Sequence, residues 1–214
     1  MSVPRSTSRR HSGRRARGTL SAETIVEAAF AVAAESSIDE LSIPLVAKSL
    51  GVGVTSIYWH VRNKSELLDA MTDRALRRSG LPVFVATADW RESLMAHARG
   101  VRQTFLGDPV LTDLILIRGA LSPMALRLGA QEMDKAIASM VDAGLDRHRA
   151  LETYSAVSLL VRGSVLLERL AQKHSAAGNV GITDHDGFVD AALSHDDRAF
   201  ELLLTSVLVD ASAG

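Results

Sequence analysis

The chain has 214 residues, 47% of them hydrophobic, and its 24 Lys and Arg nearly balance 25 Asp and Glu. That is enough apolar material for one large domain, or for a small domain joined to a larger one. No cysteine is present, which excludes a disulfide framework, a cysteine-type zinc cluster and a cysteine nucleophile.

The near-neutral total hides an asymmetry. Residues 1–79 carry 12 basic and 8 acidic side chains, net +4, whereas residues 80–214 carry 12 and 17, net −5. Six arginines (Arg5, Arg9, Arg10, Arg14, Arg15, Arg17) precede Leu20 with no acidic residue among them. Residues 1–19 therefore read as a basic disordered arm, either solvated or suited to a polyanion. No apolar stretch follows the arm, and runs such as "AVSLLV" (156–161) and "LLLTSVLV" (202–209) fall short of a membrane span. The expectation is a soluble, cytoplasmic protein with no membrane partner.

From Ser21 onward the apolar spacing is helical. Ile25, Ala28, Ala29, Val32 and Ala33 mark a first helix ending near Glu35, with Ser21 as its N-cap. Ser42 caps a second, with Pro44 in its first turn and Val46, Ala47 and Leu50 as its stripe; Gly51 stops it. A third short helix is expected over Val54–Val61, with Ile57 and Val61 facing inward. A short helix, a glycine turn and another short helix behind a longer support form a helix-turn-helix pattern. Thr55, Ser56, Tyr58, Trp59 and His60 then occupy its outer arc, where small residues approach base edges and Tyr, His and Lys donate to phosphates. Trp59 either joins that surface or braces the head against the first helix.

The spacing predicts a head over residues 20–63, a connecting helix over 64–80 beginning as late as Ser65, and a larger helical domain over 81–214. Helices follow from Asp89, Pro109, Ser122 and Asp146, and a last one over about 188–209, with a long loop at 175–187 and no alternating strand pattern. The fold class is all-α. The stretch 147–173 is apolar around most of its circumference, with small Ser155, Ala156, Ser158, Gly163 and Ser164, so a homodimer through this helix and the C-terminal one is expected. Such a two-fold dimer sets two recognition helices one turn of double-stranded DNA apart, which implies a palindromic operator.

The run "LSIPLVAKSLGVGVTSIYWHVRNKSELLDAM" resembles the helix-turn-helix and following helix of the TetR family of bacterial repressors, in its tetracycline-repressor-like branch. The likeness continues through "DWRESL", "DAGLD" and "ALETYSAVSLLVRGSVLLE", covering roughly Leu20 to Leu170. It implies that Tyr58, His60 and Lys64 hold the DNA backbone, and that Val54, Thr55 and Ser56, behind the Ser42 cap, face bases. Pro44 and Val54 stand where that branch carries an arginine and a glutamine that read bases, which implies a different operator with weaker direct readout. Arg14, Arg15 and Arg17 of the arm can compensate along phosphates or in a minor groove.

The resemblance also implies that 81–214 is a regulatory, ligand-binding and dimerisation domain, with an effector pocket near His97, Val101, Gln131, Leu151 and Tyr154, and Phe105, Met124 and Met133 as neighbours. His97 and Tyr154 read equally as satisfied core residues, and the methionines as plain core. The branch's metal-ligating histidine falls at Ile115 and a second drug-contacting histidine at Gly80, so no magnesium, metal or other cofactor is expected. The effector is expected to be small and largely apolar. Asp184, His185, Asp186, His195, Asp196 and Asp197 read as a solvated acidic segment rather than a metal site. No nucleophile triad, phosphate loop or paired-carboxylate spacing points to an enzyme. The leading reading is a ligand-released repressor; the alternative is a DNA-binding regulator without a working effector pocket, acting constitutively or through a protein partner.

Overall fold

The computed structural model describes residues 20–78, 80–176 and 197–211, the side chains of 174–176 excepted. The expected arm, with Arg14, Arg15 and Arg17, lies outside the described residues, as do the loop at 175–187 in all but its first two positions and Asp184, His185, Asp186, His195 and Asp196. Helices alone make up the regular structure of the described residues: α1 (Ala22–Glu35), α2 (Ile43–Leu50), α3 (Val54–Tyr58), α4 (Lys64–Arg78), α5 (Trp90–Gly107), α6 (Pro109–Thr112), a π-helical segment (Asp113–Arg118), α7 (Pro123–Asp142), α8 (Arg147–Ala176) and α9 (Asp197–Asp210).

Local chemistry sets these boundaries. Ser21 accepts from the Thr24 N–H at 3.2 Å and Ser42 from the Leu45 N–H at 3.4 Å, each filling an orphan donor of a first turn. At the end of α2, Gly51 sits at φ 67°, and the Val52 N–H closes back onto the Ala47 carbonyl at 3.0 Å. A Cβ disfavours that left-handed backbone, so glycine is the residue that ends the helix in this way. The third helix is shorter than the spacing predicts. It ends at Tyr58, although the Val61 N–H still bonds the Ile57 carbonyl at 3.0 Å and Val61 stays buried. The next N–H, of Arg62, goes to the Glu66 carboxylate at 2.7 Å, while Asn63 accepts from the Glu66 N–H at 2.9 Å. This reciprocal capping starts α4 at Lys64 rather than Ser65.

Two apolar clusters organise the interior. The first joins α1, α2, α3 and α4 to Phe105, Leu111, Leu114, Ile115 and Val165, so the head shares its core with the α6 region and is not a detached module. The second packs α5, α7, α8 and α9 around Trp90, Leu94, Ile137, Met140, Val157, Val161, Phe200 and Leu204. Val101 touches both. The 30-residue α8 runs through the centre, with α5, α7 and α9 packed along it.

The expected helix from Pro109 is interrupted. After one α turn the backbone widens into the π segment, which ends at Gly119. A Cβ at Gly119 would stand 2.5 Å from Thr72 Cγ2 on α4 and 2.8 Å from the Leu114 carbonyl oxygen. The close approach of this segment to α4 therefore requires glycine. The last helix is described from Asp197; the expected start at 188–196 lies outside the described residues.

Candidate nucleic-acid interface and effector core

The five residues of α3 split sharply by environment. Ile57 is fully buried, whereas Thr55, Tyr58 and, just past the helix, Trp59 and His60 are exposed, Trp59 at 85%. Val54 and Ser56 are half-buried. Trp59 therefore does not brace the head against α1; its indole stands in solvent, and the phenol of Tyr58 is exposed as well. A large apolar side chain left this bare beside polar ones is the arrangement of a surface that awaits a partner. Ser42 is half-buried and its hydroxyl oxygen accepts the Leu45 N–H at the cap of α2, which leaves the O–H to donate. Pro44, Leu45 and Lys48 are exposed on the second helix.

Lys64 is less available than its neighbours. Its ammonium donates to the Asp39 carbonyl at 2.7 Å, a contact between the start of α4 and the turn joining α1 to α2. Two of its three donors remain for a phosphate. Exposed Lys48 and Arg62 add cations that sequence reasoning left out of the candidate set; their place at the ends of the two short helices was the available signal.

The effector candidates fall into different surroundings. His97 on α5 is half-buried, edge-on to Phe84 with ring centroids 5.8 Å apart, and hydrogen-bonds the Val83 backbone. Its Nδ1 is buried without a hydrogen-bond partner. Burial holds its pKa below the usual histidine value, against the pull of the Glu132 carboxylate, so the ring is neutral near pH 7. Tyr154 on α8 is half-buried and its phenol is pushed up by burial. Phe105 is buried and Met124 half-buried, both within the cluster continuous with the head, and Val101 lies between the clusters.

Gln131 and Leu151 do not join them. Leu151 is 43% exposed and Gln131 also faces solvent. The phase of α7 is set by buried Ala136, Ile137 and Met140, which turns half-buried Glu132 and Met133 inward and Gln131 outward. Glu132, absent from the candidate set, is the polar group that reaches the core: it accepts from the Phe84 N–H and from Lys135 at 2.7 Å, and its field acts on His97 and Tyr154. A void of about 10 Å³ lies between Phe105, Thr112, Val165 and Arg169, and an open groove of about 510 Å³ runs between α8 and α9 beside Arg149, Thr153, Ala156 and Val207. The void has room for one water. His97 and Tyr154 line neither.

Ile115, where the branch carries its metal ligand, is buried in the core and 5% exposed. Among the described residues no group of three His, Asp or Glu side chains is placed to hold a metal ion. One helix, Arg147–Lys173, is long and apolar enough to cross a membrane by length and composition, because short apolar runs join within one continuous α8; only 28% of its apolar window is buried within the chain.

Comparison with known proteins follows the same division. A family model described as bacterial regulatory proteins, tetR family, matches residues 25–71, and one for the tetracyclin repressor-like C-terminal domain matches 81–207. An HTH-type transcriptional repressor of Mycobacterium tuberculosis is 56% identical over 167 residues, covering 78% of this chain; the chain spans 64% of that relative's length. The tetracycline repressor protein class A from transposon 1721 of Escherichia coli is 33% identical over 168 residues, covering 77% of this chain and 73% of that protein. Among solved structures, Streptomyces coelicolor ActR in complex with actinorhodin superposes with a TM-score of 0.62 at 25% identity, covering 92% of this chain and 97% of that one. The first two relatives are repressors by name, and regulators of that family are not enzymes. With both halves matched in order and close relatives spanning most of its length, the chain belongs to the TetR family of bacterial regulatory proteins.

Proposed function

We propose that the chain is a dimeric transcriptional repressor that inserts α3 into successive major grooves of a palindromic operator and is released by a small, largely apolar effector. One observation carries the DNA-binding part: Ile57 anchors a five-residue helix whose outer side, Thr55 and Tyr58 with Trp59 and His60 just beyond its end, is left exposed by the chain. Thr55 and Ser56 supply small polar contacts at the base edges, and Tyr58, His60, Lys64 and Ser42 hold phosphates. Arg14, Arg15 and Arg17 add counterion release.

Dimerisation follows from the bare apolar surface of α8 and α9, where Leu151, Leu159, Leu166, Leu167, Leu170, Leu202 and Val209 are all more than 40% exposed. A second copy covers that face better than lipid does, because exposed Arg162 stands in the middle of α8 and costs energy in hydrocarbon. The effector reading rests on His97, whose unpartnered buried Nδ1 can accept one hydrogen bond, with Tyr154 and Glu132 nearby as further polar groups. ActR and the tetracycline repressors, by their names, bind small molecules in related folds. A second reading, a DNA-binding regulator whose core has closed over its pocket, draws on the packing of Phe84 and Glu132 against His97.

The test is a footprint on DNA flanking the chain's own gene at two salt concentrations, with and without residues 1–18. A protected palindrome with half-sites about 34–36 Å apart is expected, with a shallower salt slope for the truncated chain. Binding that ignores sequence, both there and in a selection from random DNA, overturns the proposal.

A further inference from the structure

Outside the DNA-facing surface and the His97 region, one buried charge network has no place in either. Asp113 opens the π segment and is 1% exposed. A carboxylate removed from water must be paired, and two cations from the end of α8 do this. Arg169 grips it with both nitrogens of its fork, Nε to Oδ1 at 2.9 Å and Nη2 to Oδ2 at 2.7 Å. Lys173 adds its ammonium at 3.2 Å from Oδ2. The same ammonium lies 2.9 Å from Oδ2 of Asp39, in the turn between α1 and α2. The carbonyl of Asp39 in turn receives the Lys64 ammonium.

Lys173 thus stands between two carboxylates, one fixed in the regulatory domain and one on the DNA-binding head. The two ends of this bridge differ. At Asp113 the charge is buried and doubly bound, so the anchor is firm. At Asp39 the side chain is 69% exposed and Lys173 is its ion-pair partner. That contact is weak and open to salt. The chain positions involved are 134 residues apart, and the contact ties the last turns of the central helix to the head itself rather than to α4. Arg118, at the other end of the π segment, makes a separate tie to Ser65 and Asp69 on α4, at 2.9 and 2.8 Å. Both ends of the π segment therefore bear on the head, one through α4 and one through Lys173 and Asp39.

We infer that Lys173 is a positioning residue, an electrostatic strut that holds the head at a fixed angle to α8 by bridging Asp113 and Asp39. A displacement of the π segment carries Asp113 away from Lys173 and slackens the hold on Asp39, which gives the regulatory domain a second grip on the head besides α4. The inference concerns head orientation in the protein alone; only its consequence at an operator rests on the repressor reading.

The absence of native cysteine permits a direct test. Spin labels are placed through Glu35→Cys on the head and Ala138→Cys on α7, both exposed, and the distance distribution is read by pulsed electron resonance on full-length chains diluted with unlabelled chain. Lys173→Met is expected to raise the fraction of molecules outside the parent distance roughly two- to five-fold, the population change that loss of one partly exposed ion pair produces. Asp39→Asn, at the solvent end and without risk to the fold, is expected to do the same; the double variant goes no further, and Lys173→Arg restores the parent distribution. High salt broadens the parent but not Lys173→Met. A purely structural role for Lys173 would lower Tm and leave the distribution alone. An unchanged distribution in Asp39→Asn, or additive broadening in the double variant, overturns the inference. Because no DNA is present, failure of the repressor reading appears separately, in the footprint.

Discussion

Ile57 and Trp59 lie two residues apart and make opposite predictions, which separates folding from recognition at one short helix and its C-cap. Ile57 is wholly buried, so Ile57→Ala opens a cavity in the head and costs about 2–5 kcal/mol of stability. Trp59 is 85% exposed. A tryptophan buries at most about 250 Å², so the hidden part here is about 40 Å², worth about 1 kcal/mol at roughly 25 cal/mol per Å². Trp59→Ala should therefore lower Tm by no more than about 2–4 °C. At an interface the same truncation removes an aromatic anchor, which costs about 2 kcal/mol or more, about 30-fold in Kd. The assay pairs a thermal melt with a fluorescence anisotropy titration of a labelled duplex that carries the footprinted site, at fixed salt. If Trp59→Ala binds that duplex as tightly as the parent does while remaining folded, the exposed arc of α3 is not the reading surface and the argument from its bareness fails.

Other predictions follow from features away from α3. Gly119→Ala forces a methyl group against Thr72 and against the Leu114 carbonyl, which no side-chain rotation relieves. A loss of about 1–3 kcal/mol is expected, visible as a fall in Tm of about 2–4 °C per kcal/mol for a chain of this size. Asp113→Ala leaves Arg169 and Lys173 facing an emptied site and should cost about 3–5 kcal/mol, as breaking a buried pair does; a denaturant midpoint close to that of the parent would show that water reaches the site. His97 supplies a pH dependence. Its folded-state pKa lies below the unfolded value, so below about pH 6.5 the unfolded chain takes up a proton that the folded one refuses, and stability falls as pH drops through that range toward the lowered value. His97→Phe should remove this part of the slope between about pH 7.5 and pH 5.5, read from Tm against pH; a parallel slope in parent and variant would place the proton elsewhere.

The head was legible in the sequence because its boundaries are made by local chemistry. Ser21, Ser42, Gly51 and Asn63 each act within a few residues of themselves, and Ile57 with Val61 fixes which arc of α3 is left outside. The regulatory core was less legible, for a geometric reason. Gln131 and Glu132 are adjacent in sequence and about 100° apart around α7, so alignment position alone does not say which one faces His97; only the packing of Ala136, Ile137 and Met140 decides it. The π segment was not legible at all, since one extra residue in a single turn leaves the apolar pattern of "PVLTDLILIRGAL" readable as plain α-helix. Nor was the network of Asp113, Arg169, Lys173 and Asp39, whose ion-paired partners lie 56 to 134 residues apart.

The π segment also bears on how such a chain changes over generations. A π turn holds one residue more than the α turn it replaces, so a single-codon deletion between Asp113 and Arg118 leaves a regular helix behind rather than a broken one. Because the extra residue is confined to that one turn, the chain on either side keeps nearly its phase, so Arg118 still faces Ser65 and Asp69 while Asp113 keeps its hold on Arg169. Insertion of a residue reverses the step. This turn is thus a place where the chain can gain or lose one residue without rebuilding either core.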